Sequence, residues 1–236
     1  MKTRFKLKKL TLATLLAVPV TAFAGSPMNV DDAGILDHKS CHVEAWVDNY
    51  SKANEIWVAP ACNLNGHWEL GFALGHANFD DADSFNLYGL NAKTMLTEQD
   101  GWAVALSLGV VLADKIEHDQ AVYTLLAPIS FNLLDDQLDL HLNLGLSRDQ
   151  TLKKDFALWG IGAEYHFTDS VRGYVEAFGN TESGDHETRG YQFGAAFNVT
   201  DKWQLDISYG DSLKDADNET NYVRLGFVYE TASWLK

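Results

Sequence analysis

The sequence predicts an all-β protein, an antiparallel up-and-down transmembrane β-barrel of about twelve strands. Three observations predict it. Between residues 68 and 229 the chain repeats segments in which large apolar side chains alternate with small or polar ones. That is the period-2 pattern of a strand with one greasy and one wet face. The segments reach the roughly 9–11 residues that a membrane-spanning strand needs, whereas soluble strands average about 5–6. Their connections alternate between tight turns and longer, more acidic loops, the rim asymmetry of a membrane barrel.

Residues 1–24 have the three parts of a signal peptide. Lys2, Arg4, Lys6, Lys8 and Lys9 form the basic n-region, Leu10 to Val20 the apolar h-region, and Ala22-Phe23-Ala24 the cleavage site. The h-region falls short of the ~20 residues that cross a bilayer as a helix. Export through a cleaved leader is therefore expected. The leader carries five basic residues and no acids, so its loss moves the formal charge from −15 to −20. So acidic a chain lacks the basic face that phosphate binding needs, which argues against a nucleic-acid partner. Acids gather at Phe79-Asp80-Asp81-Ala82-Asp83, at 182–187 and at 211–219. They read as solvated loops. None has the ligand spacing of an EF-hand, and neither a metal nor another cofactor is expected.

Residues 25–40 precede the first strand as a plug or a periplasmic segment, and 41–236 form the barrel without a visible domain boundary. Segments 41–48 and 55–62 fold about Ser51-Lys52. That register sets Cys41 opposite Cys62, Trp46 opposite Trp57 and Val43 opposite Pro60. The two cysteines, an even count in an exported chain, are therefore expected to form a disulfide at the hairpin base. Both segments are short and weakly patterned, which leaves open a ten-stranded barrel with a separate N-terminal hairpin. Segment 67–77 opens on Trp68 and sets Glu69, Gly71 and Gly75 on one face. Segment 84–96 changes phase after Leu87. In 101–113, Trp102, Val104, Leu106, Leu108, Val110 and Leu112 oppose Ala103, Ala105, Ser107 and Gly109. Segment 120–132 contains Pro128, which cannot donate to a ladder, so a bulge is expected there.

The cleanest alternation is 137–148, with leucines at 138, 140, 142, 144 and 146 against Asp139, His141, Asn143 and Gly145. Segment 155–167 sets Ala157, Trp159, Ile161, Ala163, Tyr165 and Phe167 against Gly160, Gly162, Glu164 and His166. Segment 171–180 mixes Tyr174 and Phe178 with Arg172 and Glu176 on one face. Segment 188–199 carries Gly194 opposite its large side chains. Segment 203–211 sets Trp203, Leu205, Ile207 and Tyr209 against Gln204, Asp206, Ser208 and Gly210. Segment 220–230 sets Val223, Leu225, Phe227 and Tyr229 against Arg224 and Gly226.

A soluble barrel would bury the apolar face. Strand length, the glycines shared by the opposite face and two aromatic belts place it against lipid instead. Trp68, Trp102 and Trp203 begin strands after tight turns, and Phe131, Phe167 and Tyr229 end strands on that side. Phe85, Tyr123, Tyr191 and Tyr209 lie toward the loops. The wet face then lines a lumen with Glu69, Asp139, His141, Glu164, His166, Arg172, Glu176, Asp206 and Arg224. Antiparallel folding sets His166 opposite Arg172, with Glu164 diagonal to it, and brings Asp139 near Glu164. These charges suit an ion-pair network that stiffens the wall, a charged constriction on a permeation path or, with least support, an acid/base cluster. No G-x-S-x-G elbow, H-E-x-x-H helix or phosphate-binding glycine loop occurs, so the chain does not read as an enzyme.

Several stretches resemble Gram-negative outer-membrane β-barrel proteins. They are Asp31-Asp32-Ala33-Gly34, Cys41-His42-Val43-Glu44-Ala45-Trp46, Trp57-Val58-Ala59-Pro60-Ala61-Cys62-Asn63 and Arg224-Leu225-Gly226-Phe227-Val228-Tyr229. The opening Asp-Asp-Ala-Gly and Trp203-Gln204-Leu205-Asp206-Ile207-Ser208-Tyr209-Gly210 also resemble the barrel family linked to the meta pathway of phenol degradation. That resemblance implies outer-membrane localisation, outer-membrane lipid and the barrel-insertion machinery as partners, and a channel or passive transporter for small solutes, hydrophobic or aromatic ones among them. The chain departs from such barrels in not ending on an aromatic residue. Two other roles stay open: a barrel enzyme acting on lipid or peptide, and a structural or surface-interaction barrel with acidic loops.

Overall fold

Twelve antiparallel strands follow one another around a closed barrel. They are β1 (Ser40–Tyr50), β2 (Ala53–Asn63), β3 (Trp68–Phe79), β4 (Phe85–Gln99), β5 (Trp102–Ala113), β6 (Ala121–Leu133), β7 (Leu138–Asp149), β8 (Lys154–Thr168), β9 (Val171–Asn180), β10 (Arg189–Thr200), β11 (Trp203–Ser212) and β12 (Tyr222–Glu230). The structure, a computed structural model, describes residues 28–114, 121–181, 188–213 and 220–231. The signal-peptide reading and the acidic stretch 182–187 lie outside the described residues, as does most of 211–219.

Closure settles the choice between ten and twelve strands. β1 pairs β12 from His42 opposite Glu230 to Tyr50 opposite Tyr222, and pairs β2 on its other side with Cys41 opposite Cys62 and Trp46 opposite Trp57. The two cysteines are disulfide-bonded. The N-terminal hairpin is thus part of the wall, and its backbone groups are paired like every other strand's, as lipid demands.

The large apolar residues stand on the outside. Leu70, Leu74, Leu90, Leu108, Leu144, Leu146, Ile161, Val175, Phe193 and Leu205 are all exposed. A continuous apolar band of this kind would be an aggregation surface in water and is a lipid-facing surface in a bilayer. Trp203 stacks beside Tyr229 and Phe227 at the tight-turn rim, with centroids 4.6 and 5.9 Å away. Tyr165 and Phe167 meet edge to face there.

Three sequence expectations change. β4 keeps its alternation without a phase slip: Phe85, Leu87 and Lys93 are buried on one face while Tyr88 and Leu90 are exposed on the other. What changes after Leu87 is the chemistry of the inner face, apolar first and polar later. Phe85 accordingly leaves the aromatic belt and stacks on Phe79 inside, at 5.5 Å. Pro128 causes no bulge. β6 keeps one register against β5 on both sides of it, from Val104 opposite Ile129 to Ser107 opposite Leu126, and pairs Pro128 directly with Asn143 of β7. The register shifts fall instead at Met95/Thr97, His166/Thr168 and Asn198/Thr200, where strands run into tight turns and must curl.

Candidate functional site in the barrel interior

The interior is built by the strand alternation, which sends every second side chain inward, and by a non-strand segment that the wall accepts. Residues 28–36 make hydrogen bonds with the inner faces of β2, β3, β6, β7, β9, β10 and β12, and Lys93 of β4 reaches them too. Near the tight-turn rim the Leu36 amide donates to Glu69 Oε2 at 2.8 Å. Further in, the Ala33 amide donates to Ser130 Oγ and the Asp31 amide to Asn143 Oδ1, both at 2.8 Å. Asn143 returns a bond from Nδ2 to the Asp31 carbonyl at 2.7 Å. Deepest, the Asn29 and Val30 amides both reach the Glu176 carboxylate, at 2.8 and 2.7 Å. Asn29 Nδ2 donates to Glu176, Gln192 and Tyr222.

The segment has no regular structure to satisfy its own backbone, so the wall supplies the acceptors. Room is made for it by β8. A Cβ on Gly160 would come within 2.9 Å of Val30 Cγ2, and one on Gly162 would collide with the end of Met28. Met28 and Val30 pack with Tyr174 and Phe178 of β9.

Two buried ion pairs hold the charges. Lys93 Nζ, on β4, sits 2.8 Å from Asp31 and 3.4 Å from Asp32. Arg224, on β12, is bidentate to Asp48 of β1 at 2.7 and 2.9 Å. Its guanidinium also lies 5.7 Å from the Trp46 and Tyr222 ring centroids, a cation–π geometry. Among the residues singled out in the sequence, Arg172 bonds Glu164 and Gln204, each at 2.6 Å. His141 lies 3.4 Å from Glu164 and shares a 2.8 Å bond with Ser130. His166 meets Asp139 at 2.8 Å. Asp206 is buried on β11, opposite Ala196 and Gly226. The cluster therefore divides. Asp139 and His166 form one pair toward the rim, Glu164, His141 and Arg172 a second group, Glu69 a contact with the segment, and Glu176 with Arg224 the deep anchor of Asn29.

Sequence reasoning placed Asn143 on the inner face but missed Asn29, Asp31 and Lys93, and also Glu44, Asp48 and Glu55, which are buried on β1 and β2. The hairpin register already put the last three on the face of Trp46 and Trp57, so it held the signal for them.

The loop-side interior differs. Trp57, Ala59, Ala73, Ala77, Phe85 and Leu87 form an apolar cluster, with Trp46, Phe79, Val111 and Ala113 against it. Trp46 and Trp57 stack at 5.9 Å. Toward the tight-turn rim a cavity of about 300 Å³ lies between the inserted segment and the wall.

Comparison with known proteins gives a family and a fold. The family model described as "Uncharacterised conserved protein UCP029691" matches residues 12–228. No curated protein matches the chain. Among solved structures the chain is similar to the KdgM porin, at 9% identity and a TM-score of 0.66 over 81% of this chain and 99% of that one. It is also similar to the COG4313 outer membrane channel from Pseudomonas putida F1, at 11% identity and a TM-score of 0.64 over 85% and 98%. The NanC porin follows, at 11% identity and a TM-score of 0.61 over 80% and 98%. At these identities the likeness is one of fold.

Proposed function

The chain belongs to that uncharacterised conserved family, and from its interior we propose that it is an outer-membrane channel or passive transporter for small solutes, with residues 28–36 as a constriction seated in the lumen. The observation that carries the reading is a closed barrel with a lipid-type exterior and a largely polar interior, whose bore is occupied by backbone held through bonds to wall side chains and by the packing of Met28 and Val30, with no strand pairing among the described residues. Such bonds can be exchanged for water without unfolding a strand, so the constriction is separable from the wall. The fold likeness to the porins supports the channel role. The stacked Trp46–Trp57 and Phe79–Phe85 pairs on the loop-side wall support solutes with an aromatic or apolar body, in line with the resemblance to the phenol-pathway barrels.

Single-channel recording and liposome swelling test this with the mature chain and a form lacking residues 28–36. The full chain is expected to conduct weakly and the shortened one several-fold more. A barrel that stays sealed in both forms and both assays overturns the reading.

A further inference from the structure

The cavity at the tight-turn rim has a chemistry that the inserted segment does not use up. Its carboxylates are Asp31, Asp32, Glu44, Glu69, Glu164 and Glu230, against only two side chains of fixed positive charge, Lys93 and Arg172. Both cations are committed. Lys93 serves Asp31 and Asp32, and Arg172 serves Glu164 and Gln204. Glu69 accepts from the Leu36 amide. Glu44 is left over. It is 8% exposed, it lines the cavity, and among the described residues it makes no hydrogen bond. Its one ion-pair contact among the described residues is with His42, whose Nδ1 is 3.8 Å away, outside hydrogen-bond reach, and which offers a charge only when its ring is protonated.

A carboxylate held largely out of water with no hydrogen bond and no fixed cation beside it is costly by general solvation arguments, so one facing a cavity is a place where a cation gains. The cavity also states what sort of cation. Met28, Ala59, Ala61 and Val228 give it a buried apolar wall, and its volume of about 300 Å³ is at the small end for ligand pockets. No group of three or more His, Cys, Asp and Glu side chains converges as a metal site among the described residues.

We infer that this cavity binds a small organic cation, an alkylammonium with a short apolar body, whose charged end pairs with Glu44 and whose body lies against Ala61 and Val228. Glu230, exposed at the rim, marks the side from which the ligand enters. As a solute class for the channel the inference rests on the channel reading; as a binding site it does not.

Calorimetric titration of the detergent-purified mature protein with 1,4-diaminobutane tests it, with 1,4-butanediol and succinate as uncharged and anionic counterparts of similar length. Saturable diamine binding is expected with a Kd below about 1 mM, and no heat from the diol or the diacid. Glu44→Gln keeps the shape and removes the charge; it should weaken the diamine at least tenfold, while Asp155→Asn, an exposed carboxylate at the opposite rim, changes it less than twofold. Ala61→Leu fills the cavity without touching a charge and should abolish binding too, which keeps the test valid if Glu44→Gln folds poorly. Heat-modifiable gel migration reports folding of each variant. Absence of diamine binding by the wild type, equal binding of the diol, or wild-type affinity in both folded Glu44→Gln and folded Ala61→Leu overturns the inference. Diamine binding in a barrel that never conducts would keep the site and remove the channel reading, so the two failures are distinguishable.

Discussion

The two walls of the interior solve the same geometric problem with opposite chemistry. On β2 to β4 the loop-side inward positions are Trp57, Ala59, Ala73, Ala77, Phe85 and Leu87, which pack on one another. On β7 to β12 the buried positions are mostly polar, among them Asn143, Ser147, Glu176, Gln192, Ser208 and Arg224, with Phe156, Tyr174 and Phe178 between them. The difference follows what each wall faces. Residues 28–33 bring amides into the bore, and Ser130, Asn143 and Glu176 accept from them. The loop-side apolar side chains make no hydrogen bond to that segment among the described residues and fill their space with rings, while the same strands reach residues 28–36 nearer the tight-turn rim through Asn63, Glu69 and Lys93. A buried polar group is costly without a partner, so the polar side chains that bond residues 28–33 go with the inserted chain, and the apolar cluster lies where those amides do not reach.

Arg224 joins the two walls, and its loss should have the largest effect. It is 6% exposed and its partner Asp48 is 2% exposed; it lies over Trp46 of the aromatic side and reaches Asn29 of the inserted segment at 3.3 Å. Arg224→Met would strand Asp48 as an uncompensated buried charge, close to Glu55 on the neighbouring strand. We expect a loss of about 4 kcal/mol in denaturant unfolding from detergent. The double variant Asp48→Asn with Arg224→Met should recover more than half of it. Equal losses in the single and double variants would show that the pair's charge is not what matters.

How much of this was legible in the sequence divides along the same line. Lipid outside imposes one rule on every strand, so the leucines of β7 and β11 announce the wall directly. The register of His166 with Arg172 was legible because a tight turn fixes it, as was the diagonal Glu164 that Arg172 bonds; the turn of His166 to Asp139 was not. Long side chains reach diagonally, and a register alone does not choose among such partners. Glu44, Asp48 and Lys93 were hidden because β1, β2 and β4 carry rings on the inner face as well, which blurs the alternation. For residues 28–36 the inward glycines left a plug open as one of two places, but the bonds that dock the segment had no signal. They are made largely by backbone amides, which every residue but proline possesses, and residue identity reports nothing about them.

Trp57→Ala probes the apolar wall by itself. Trp57 is 8% exposed, stacks on Trp46 and donates from Nε1 to Glu55 at 3.2 Å. Its truncation opens a void beside Ala73 and Ala77, and a Cβ on Gly75 would lie as close as 2.7 Å to its ring, so the space is shaped for an indole. Losses for such truncations in packed interiors run to about 3 kcal/mol. We expect that loss in denaturant unfolding together with unchanged protection of residues 28–36 from protease. Release of the segment in this variant would mean that the two walls are not independent.

Glu176→Gln probes the polar wall, with a smaller expected effect. The carboxylate accepts from the Asn29 and Val30 amides and from Asn29 Nδ2. A carboxamide of the same shape keeps one acceptor oxygen and turns an NH2 toward the second amide, replacing an acceptor by a donor. Charge-assisted bonds are worth about 1.5–3 kcal/mol each and neutral ones about half that. The change should therefore cost roughly 2 kcal/mol, and the cost should fall on the docking equilibrium more than on the wall, because no strand pairing passes through this side chain. Limited proteolysis between residues 28 and 36 should become at least tenfold faster at unchanged barrel stability, and conductance should rise toward that of the shortened chain. If unfolding stability falls by the full amount while the protease rate stays put, the segment is an integral part of the wall rather than a ligand of it.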